Sequence, residues 1–432
     1  MRPDRSSNPE IPLVVWIAGQ SWDAVPGTDR PIVTAIGSSI RFLWVDPPVS
    51  PAREGLREIL TGRALRPTLA QATETVTRLT PRALPALSKP VIRTTTRHLL
   101  RWQIRWALRQ LGEHPEAVVA THLDGPLGNW GTGVTSVFYG TDDYVAGAGL
   151  MGLSIRRQVR QERRVLGTAD KVVGVSVALI DRWTRLGAKP TLIPNGCWPV
   201  DASRKPAAVP LPELPKPVVG LVGQLSERID LAVLEAIADA GYSLLIVGPV
   251  DPRFDTDGFR ALTARPGVHY TGLVPPAEVE NYLAVMHIGI TPYRDSPFNR
   301  SSFPMKTLEY LAAGIPCVAA DLPGAHWVQA DLDREHPPDV TKKVLRLAAS
   351  PAEFVEAIRG IAGEPASPAY DERHAKDEPD PAADIYTAFG ARHSWQSRAE
   401  EFTRLLALRG DGQDKASHPA EFADHSSPAD LR

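Results

Sequence analysis

The chain has 432 residues, more than one hydrophobic core ordinarily serves, so two domains of ordinary size are expected. Hydrophobic residues make up 43% and charged residues 23%, the balance of a soluble globular protein, and a net charge of −2 argues against a nucleic-acid partner. Two cysteines, Cys197 and Cys317, form no CxxC pair, which argues against a disulfide framework or a zinc site and fits a reducing cytoplasm.

The first apolar run, "IPLVVWI", is too short for a signal or membrane-spanning segment. It reads instead as a strand ending in glycine. "RFLWVDPP", "EAVVATH", "VTSVFYG" and "KVVGVS" read as further strands, separated by amphipathic stretches at 93–111 and 153–166. Such alternation predicts a parallel sheet covered by helices over 1–195. Residues 193–217 hold seven prolines, and 196–215 are expected to be a linker. Alternation resumes with "VVGLVG", "SLLIVG", "VHYTG", "IGITPY" and "IPCVAA", predicting a second α/β domain over 216–362. The fold class expected is therefore α/β, with two doubly wound Rossmann-like domains facing a cleft. Residues 363–390 are acidic and proline-rich and are expected to be a disordered insert. A helix over 391–410 is expected to pack back on the first domain, followed by a disordered tail over 411–432.

Ligands of such sheets bind beyond the carboxyl ends of the strands, so the loops there hold the candidates. In "GLVGQLSERIDLAVL", Gly223 frees the backbone for close approach, and Arg228 is expected at the start of the next helix. Arg228 reads either as a phosphate ligand or as an exposed arginine. Gly248 ends the next strand. In "FPMKTLEYLAAGIPCVAA", Pro304 suits a helix start and Gly314 a helix end, which puts Lys306 and Glu309 on one side of the first turns. The pair reads as an intrahelical ion pair, or as a cation for phosphate beside an acceptor for sugar hydroxyls. A lysine at the positive end of a helix favours an anionic ligand. "YGTDDYVAG" places Asp142 and Asp143 after a strand, as turn caps or as cleft carboxylates. His122, Trp22 and Asp23 follow other strands on the same side. Arg93, Arg97, Arg101, Arg105 and Arg109 recur every four residues with Trp102 and Trp106 between them, either a solvated face or a surface for anionic lipid.

These segments, in order and spacing, resemble the retaining GT-B glycosyltransferases that use nucleotide sugars. "RFLWVDPP" and "VFYGTDDY" are similar to bacterial cell-surface polysaccharide glycosyltransferases of the teichuronic-acid type. The likeness covers roughly residues 11–330 and the "HSWQSRAEEF" helix. It implies that Arg228 and Lys306 neutralise the donor diphosphate, that Glu309 binds ribose, and that Gly19 and Gly223 let backbone approach phosphate and sugar. Gly248 would line the nucleotide pocket, and Asn299, Ser302 and Phe303 would lie against the transferred sugar. Asp143, with Asp142 beside it, would stand near the acceptor or the reacting carbon, with Trp22, Asp23 and His122 on the acceptor side. The family's paired-glutamate pattern puts a first carboxylate eight residues before the second, and here that position is Ser301. The resemblance implies no cofactor and no metal. Its partners are a nucleotide diphosphate sugar, a glycan or lipid-linked acceptor and, through the 93–109 helix, an anionic membrane surface at the inner face of the plasma membrane. The alternatives are a nucleotide-sugar epimerase on this fold and a non-catalytic glycan- or partner-binding protein.

Overall fold

The computed structural model describes residues 11–24, 27–49, 66–83, 90–199, 206–254, 256–363, 365 and 382–407. Its first sheet has eight strands: β1 (Leu13–Ile17), β2 (Arg41–Val45), β3 (Thr68–Gln71), β4 (Val76–Thr80), β5 (Ala117–Ala120), β6 (Thr135–Gly140), β7 (Lys171–Gly174) and β8 (Pro190–Leu192). They lie in the order β3-β4-β2-β1-β5-β6-β7-β8, and only β3 runs antiparallel to its neighbour. All five side chains of β1 are buried. Its sequence is therefore an unbroken apolar run, as a parallel strand covered on both faces requires. Helices α1 (Asp29–Ile36), α2 (Pro90–Leu111), α3 (Ile155–Leu166) and α4 (Val177–Arg185) belong to this domain.

The second sheet is all parallel: β9 (Val218–Val222), β10 (Ser243–Val247), β11 (Val268–Tyr270), β12 (Ile288–Thr291), β13 (Cys317–Ala320) and β14 (Leu345–Ala348), in the order β11-β10-β9-β12-β13-β14. Its helices are α5 (Leu231–Asp239), α6 (Thr256–Thr263), α7 (Val279–Leu283), α8 (Pro297–Ser301), α9 (Met305–Ala312), α10 (Pro323–Asp333), α11 (Pro338–Val344) and α12 (Pro351–Ala362). Strand order reverses at β1/β5 in one sheet and at β9/β12 in the other, the crevices where doubly wound sheets take ligands.

A glycine seats α9 on the second sheet. At Gly289 an added Cβ would lie 2.3 Å from the Tyr310 ring. The ring can therefore cross β12, and its hydroxyl accepts the Val222 N–H at 2.7 Å where β9 has run past its pairing with β12. Gly289→Ala is expected to destabilise the protein by roughly 1–3 kcal/mol through overpacking. Chemical denaturation checks this, and an unchanged midpoint would show that α9 can shift freely.

The chain then returns. Helix α13 (Ala383–Arg392) packs on α9, with Gly390 close to Ala312. It begins inside the stretch expected to be disordered, because Ile385, Tyr386 and Phe389 share a buried face. Helix α14 (Trp395–Leu406) lies on the first domain, where Phe402 stands 5.4 Å from Trp16 and 5.3 Å from Tyr139 by ring centroids. The two interdomain crossings are tied together: the Cys197 N–H donates to the His393 carbonyl and the Trp395 N–H to that of Cys197. Residues 364 and 366–381 of the expected insert, 200–205 of the linker, 408–410 of the expected last helix and the expected tail over 411–432 lie outside the described residues.

Candidate functional site

On the second domain, three strands end side by side in glycines: Gly223 after β9, Gly248 after β10 and Gly272 after β11. Gly223 and Gly248 have φ of 141° and 136°, the region that favours glycine. Their backbones are in contact, since a Cβ on Gly248 would lie 2.1 Å from the Gly223 carbonyl oxygen. Facing Gly223 is Lys306, whose Cε would stand 3.7 Å from a Cβ there. Lys306 donates to Glu309 at 2.5 Å, and both side chains are half-buried. The ion pair read from the sequence is thus formed. Burial pulls the Lys306 ammonium down, but the Glu309 carboxylate outweighs it and holds its pKa above the usual lysine value.

Arg228 lies in the turn between β9 and α5 rather than at the helix start, because Asp230 caps α5. Its guanidinium is held from three sides. Nε donates to Asn299 Oδ1 at 2.8 Å, and the group stacks 4.8 Å from the Phe298 ring and 5.1 Å from that of Tyr293. Asn299 is buried and donates to the carbonyls of Arg228 and Arg294, so it positions Arg228 and is not free for a sugar. Ser302 donates to the Phe298 carbonyl, and Phe303 packs edge-on against Trp327. A narrow cavity lined by Arg228, Tyr293, Asn299, Ser302 and Phe303 adjoins them.

Across the cleft the two aspartates differ. Asp143 is buried and its carboxylate is satisfied: it accepts the N–H groups of Val145 and Ala146, the Arg182 guanidinium and, from the second domain, the Ser301 hydroxyl at 3.0 Å. The sequence reading preferred Asp143 for the chemistry, whereas its environment is that of a turn cap and ion-pair partner. Asp142 is half-buried and accepts no hydrogen bond among the described residues. Burial pushes its carboxyl up to about 6; Arg228 opposes the rise, and Asp29 and Asp143 add to it.

Beneath Asp142 lies a group missed in the sequence. Asp29, at the start of α1, is buried and accepts the Gly19 N–H and the Thr121 hydroxyl, each at 2.9 Å on Oδ2. Tyr144 donates to the Thr121 carbonyl. Burial pushes the Asp29 carboxyl up to about 6, and its other oxygen has no partner among the described residues. In the sequence Asp29 is one of many acidic residues at a helix start, so no local signal marked it. Trp22 and Asp23 anchor the 19–24 turn: the Trp22 N–H donates to Asp46, its ring packs on Trp44, and Asp23 accepts from Arg78. His122 is half-buried beside Thr121.

On α2, Arg101 and Arg105 turn inward to the 126–129 carbonyls and stack on Trp130, while Trp102 is 53% exposed and Arg109 is exposed. The Arg93 side chain lies outside the described residues. Among the described residues no group of His, Cys, Asp or Glu could hold a metal ion, and no helix is long and apolar enough to cross a membrane.

Residues 216–363 match the family described as "Glycosyl transferases group 1". The putative teichuronic acid biosynthesis glycosyltransferase TuaH of Bacillus subtilis (strain 168) is 34% identical over 129 residues, 28% of this chain. That alignment spans 32% of the relative's length. Sucrose-phosphate synthase from Thermosynechococcus elongatus superposes with a TM-score of 0.64 at 16% identity, covering 91% of this chain and 98% of that one. The Anabaena HepE protein, solved with UDP-glucose, superposes with a TM-score of 0.56 at 15% identity, covering 91% and 99%. The architecture is the two-domain GT-B fold.

Proposed function

We propose that this GT-B chain, whose residues 216–363 form a group 1 glycosyl transferase domain, transfers a sugar from a nucleotide diphosphate sugar to a glycan or lipid-linked acceptor in cell-surface polysaccharide synthesis. The observation that carries this reading is that Lys306 faces the Gly223 backbone and Arg228 acts on Asp142 across the cleft, with Tyr293 neighbouring both cations. Two fixed cations beside an open backbone suit a diphosphate leaving group, whose charge grows as the glycosidic bond breaks. Lys306 shares its ammonium between phosphate and Glu309, and Glu309 turns to the ribose hydroxyls. Asp142 stabilises the positive charge developing at the reacting carbon. Transfer with retention follows if the leaving phosphate takes the acceptor proton on the same face. Arg228 and Lys306 set positive charge against the two phosphates, the part a metal would otherwise play.

Incubation with UDP-, GDP- and dTDP-sugars tests the reading. Slow donor hydrolysis, accelerated by an acceptor glycan, is expected. Conversion to an isomeric nucleotide sugar would point to an epimerase, and an absence of binding to a non-catalytic domain.

The exposed Trp102 beside the outward Arg109 supports a peripheral contact with an anionic bilayer through α2. Co-sedimentation with vesicles containing phosphatidylserine is expected to fall severalfold in Trp102→Ala/Arg109→Glu and in high salt. Equal sedimentation of variant and wild type would remove the contact.

A further inference from the structure

Helix α8 has five residues, and three of them serve two domains. Phe298 and Asn299 hold Arg228, by stacking at 4.8 Å and by a 2.8 Å hydrogen bond. Ser301, at the end of the same helix, crosses the cleft. Its hydroxyl lies 3.0 Å from both Asp143 Oδ2 and the Pro297 carbonyl oxygen of its own helix; the charged carboxylate is the stronger acceptor for its one proton, and the Ser301 carbonyl accepts the Ser176 hydroxyl at 2.6 Å. The Phe298 ring also lies on Gly147, where a Cβ would come within 2.8 Å of it. One short helix is thus fixed to the first domain through Phe298 and Ser301 and to Arg228 through Phe298 and Asn299.

The first-domain half of this contact is rigid. Asp143 is held by Arg182, which also pairs with the buried Glu162, and Glu162 in turn accepts the Trp183 indole N–H. A hydroxyl is the right group to meet such a carboxylate. A glutamate at 301 would bring a second negative charge to Asp143 and remove a donor.

We propose that Ser301 is a positioning residue: docked on Asp143, it seats α8 against the first domain and so holds Arg228 in the orientation that receives the donor diphosphate. This inference rests on the donor site read above. It also gives position 301 a use that a carboxylate could not serve.

A double-mutant cycle on the full chain tests it, with nucleoside diphosphate release from the active donor as the readout. Ser301→Ala is expected to lower kcat/KM about three- to tenfold, the scale of one hydrogen bond. Ser301→Thr, which keeps the hydroxyl, restores it, and Ser301→Glu costs more than Ser301→Ala. In an Arg228→Ala background, Ser301→Ala has little further effect. Full additivity of the two substitutions, or failure of threonine to rescue, overturns the proposal. Small-angle scattering gives a reading independent of turnover: Ser301→Glu is expected to expand the ligand-free protein by opening the cleft, and a profile identical to wild type counts against the contact. If the wild type neither binds nor hydrolyses any nucleotide sugar, the donor reading fails while scattering still decides whether Ser301 joins the domains.

Discussion

Lys306→Ala is expected to weaken binding of a nucleotide diphosphate sugar roughly 10- to 100-fold, the range of a hydrogen bond to a charged group. Two effects add. The variant loses the ammonium that faces Gly223, and it leaves the half-buried Glu309 carboxylate unneutralised beside the donor phosphates. Folding stability hardly changes, because a half-exposed i,i+3 pair contributes only a few tenths of a kcal/mol. Inorganic pyrophosphate separates the two side chains. Lys306→Ala weakens its binding, whereas Glu309→Gln strengthens it by releasing the ammonium from its partner. Calorimetric titration of both variants checks this. Unchanged affinity in Lys306→Ala would remove α9 from the donor site.

Much of this arrangement was legible as sequence. The buried strands β1, β9 and β10 are unbroken apolar runs, and the Pro304–Gly314 frame marked α9. Strands β3, β4 and β14 were not legible. Strand β3 is mostly exposed, and β4 and β14 carry Arg78 and Arg346 among their apolar residues, so neither pattern stood out. At the site, the sequence placed Lys306 beside Glu309 because three-residue spacing on a helix dictates it. It could not separate Asp142 from Asp143, since the difference lies in Arg182 and Ser301, 39 and 158 residues away. Asp29 escaped for the same reason: its partners Gly19 and Thr121 are brought together only by the β1/β5 switch point. Ser301 looked like a missing carboxylate, and its cross-domain acceptor appears only in the folded chain.

Asp29 and Asp142 make pH the probe of the cleft floor. Both carboxyls are pushed up to about 6 by burial, and the Asp29 charge adds to the rise at Asp142. An acid whose pKa is higher folded than unfolded gains protons on folding. Its contribution to stability is therefore full below the ordinary aspartate value and is lost as pH rises to about 6. For Asp29, 8% exposed, that loss is about 3 kcal/mol. Asparagine keeps an oxygen for Gly19 and Thr121 and removes the charge. Asp29→Asn is thus expected to melt higher than wild type at pH 7.5 and to lose most of that advantage by pH 4.5. Activity runs the other way, because Asp142 must be ionised to stabilise positive charge at the reacting carbon. The wild-type rate should fall on the acid side with an apparent pKa near 6. Asp142→Asn should lower kcat on the order of 100-fold, within the range of a positioned carboxylate, and flatten that limb. Asp29→Asn should keep the limb but move it to lower pH, since the neighbouring negative charge that hinders ionisation of Asp142 is gone. A pH–rate profile of the three proteins checks each point, and an acid limb that persists in Asp142→Asn would show that another group sets it.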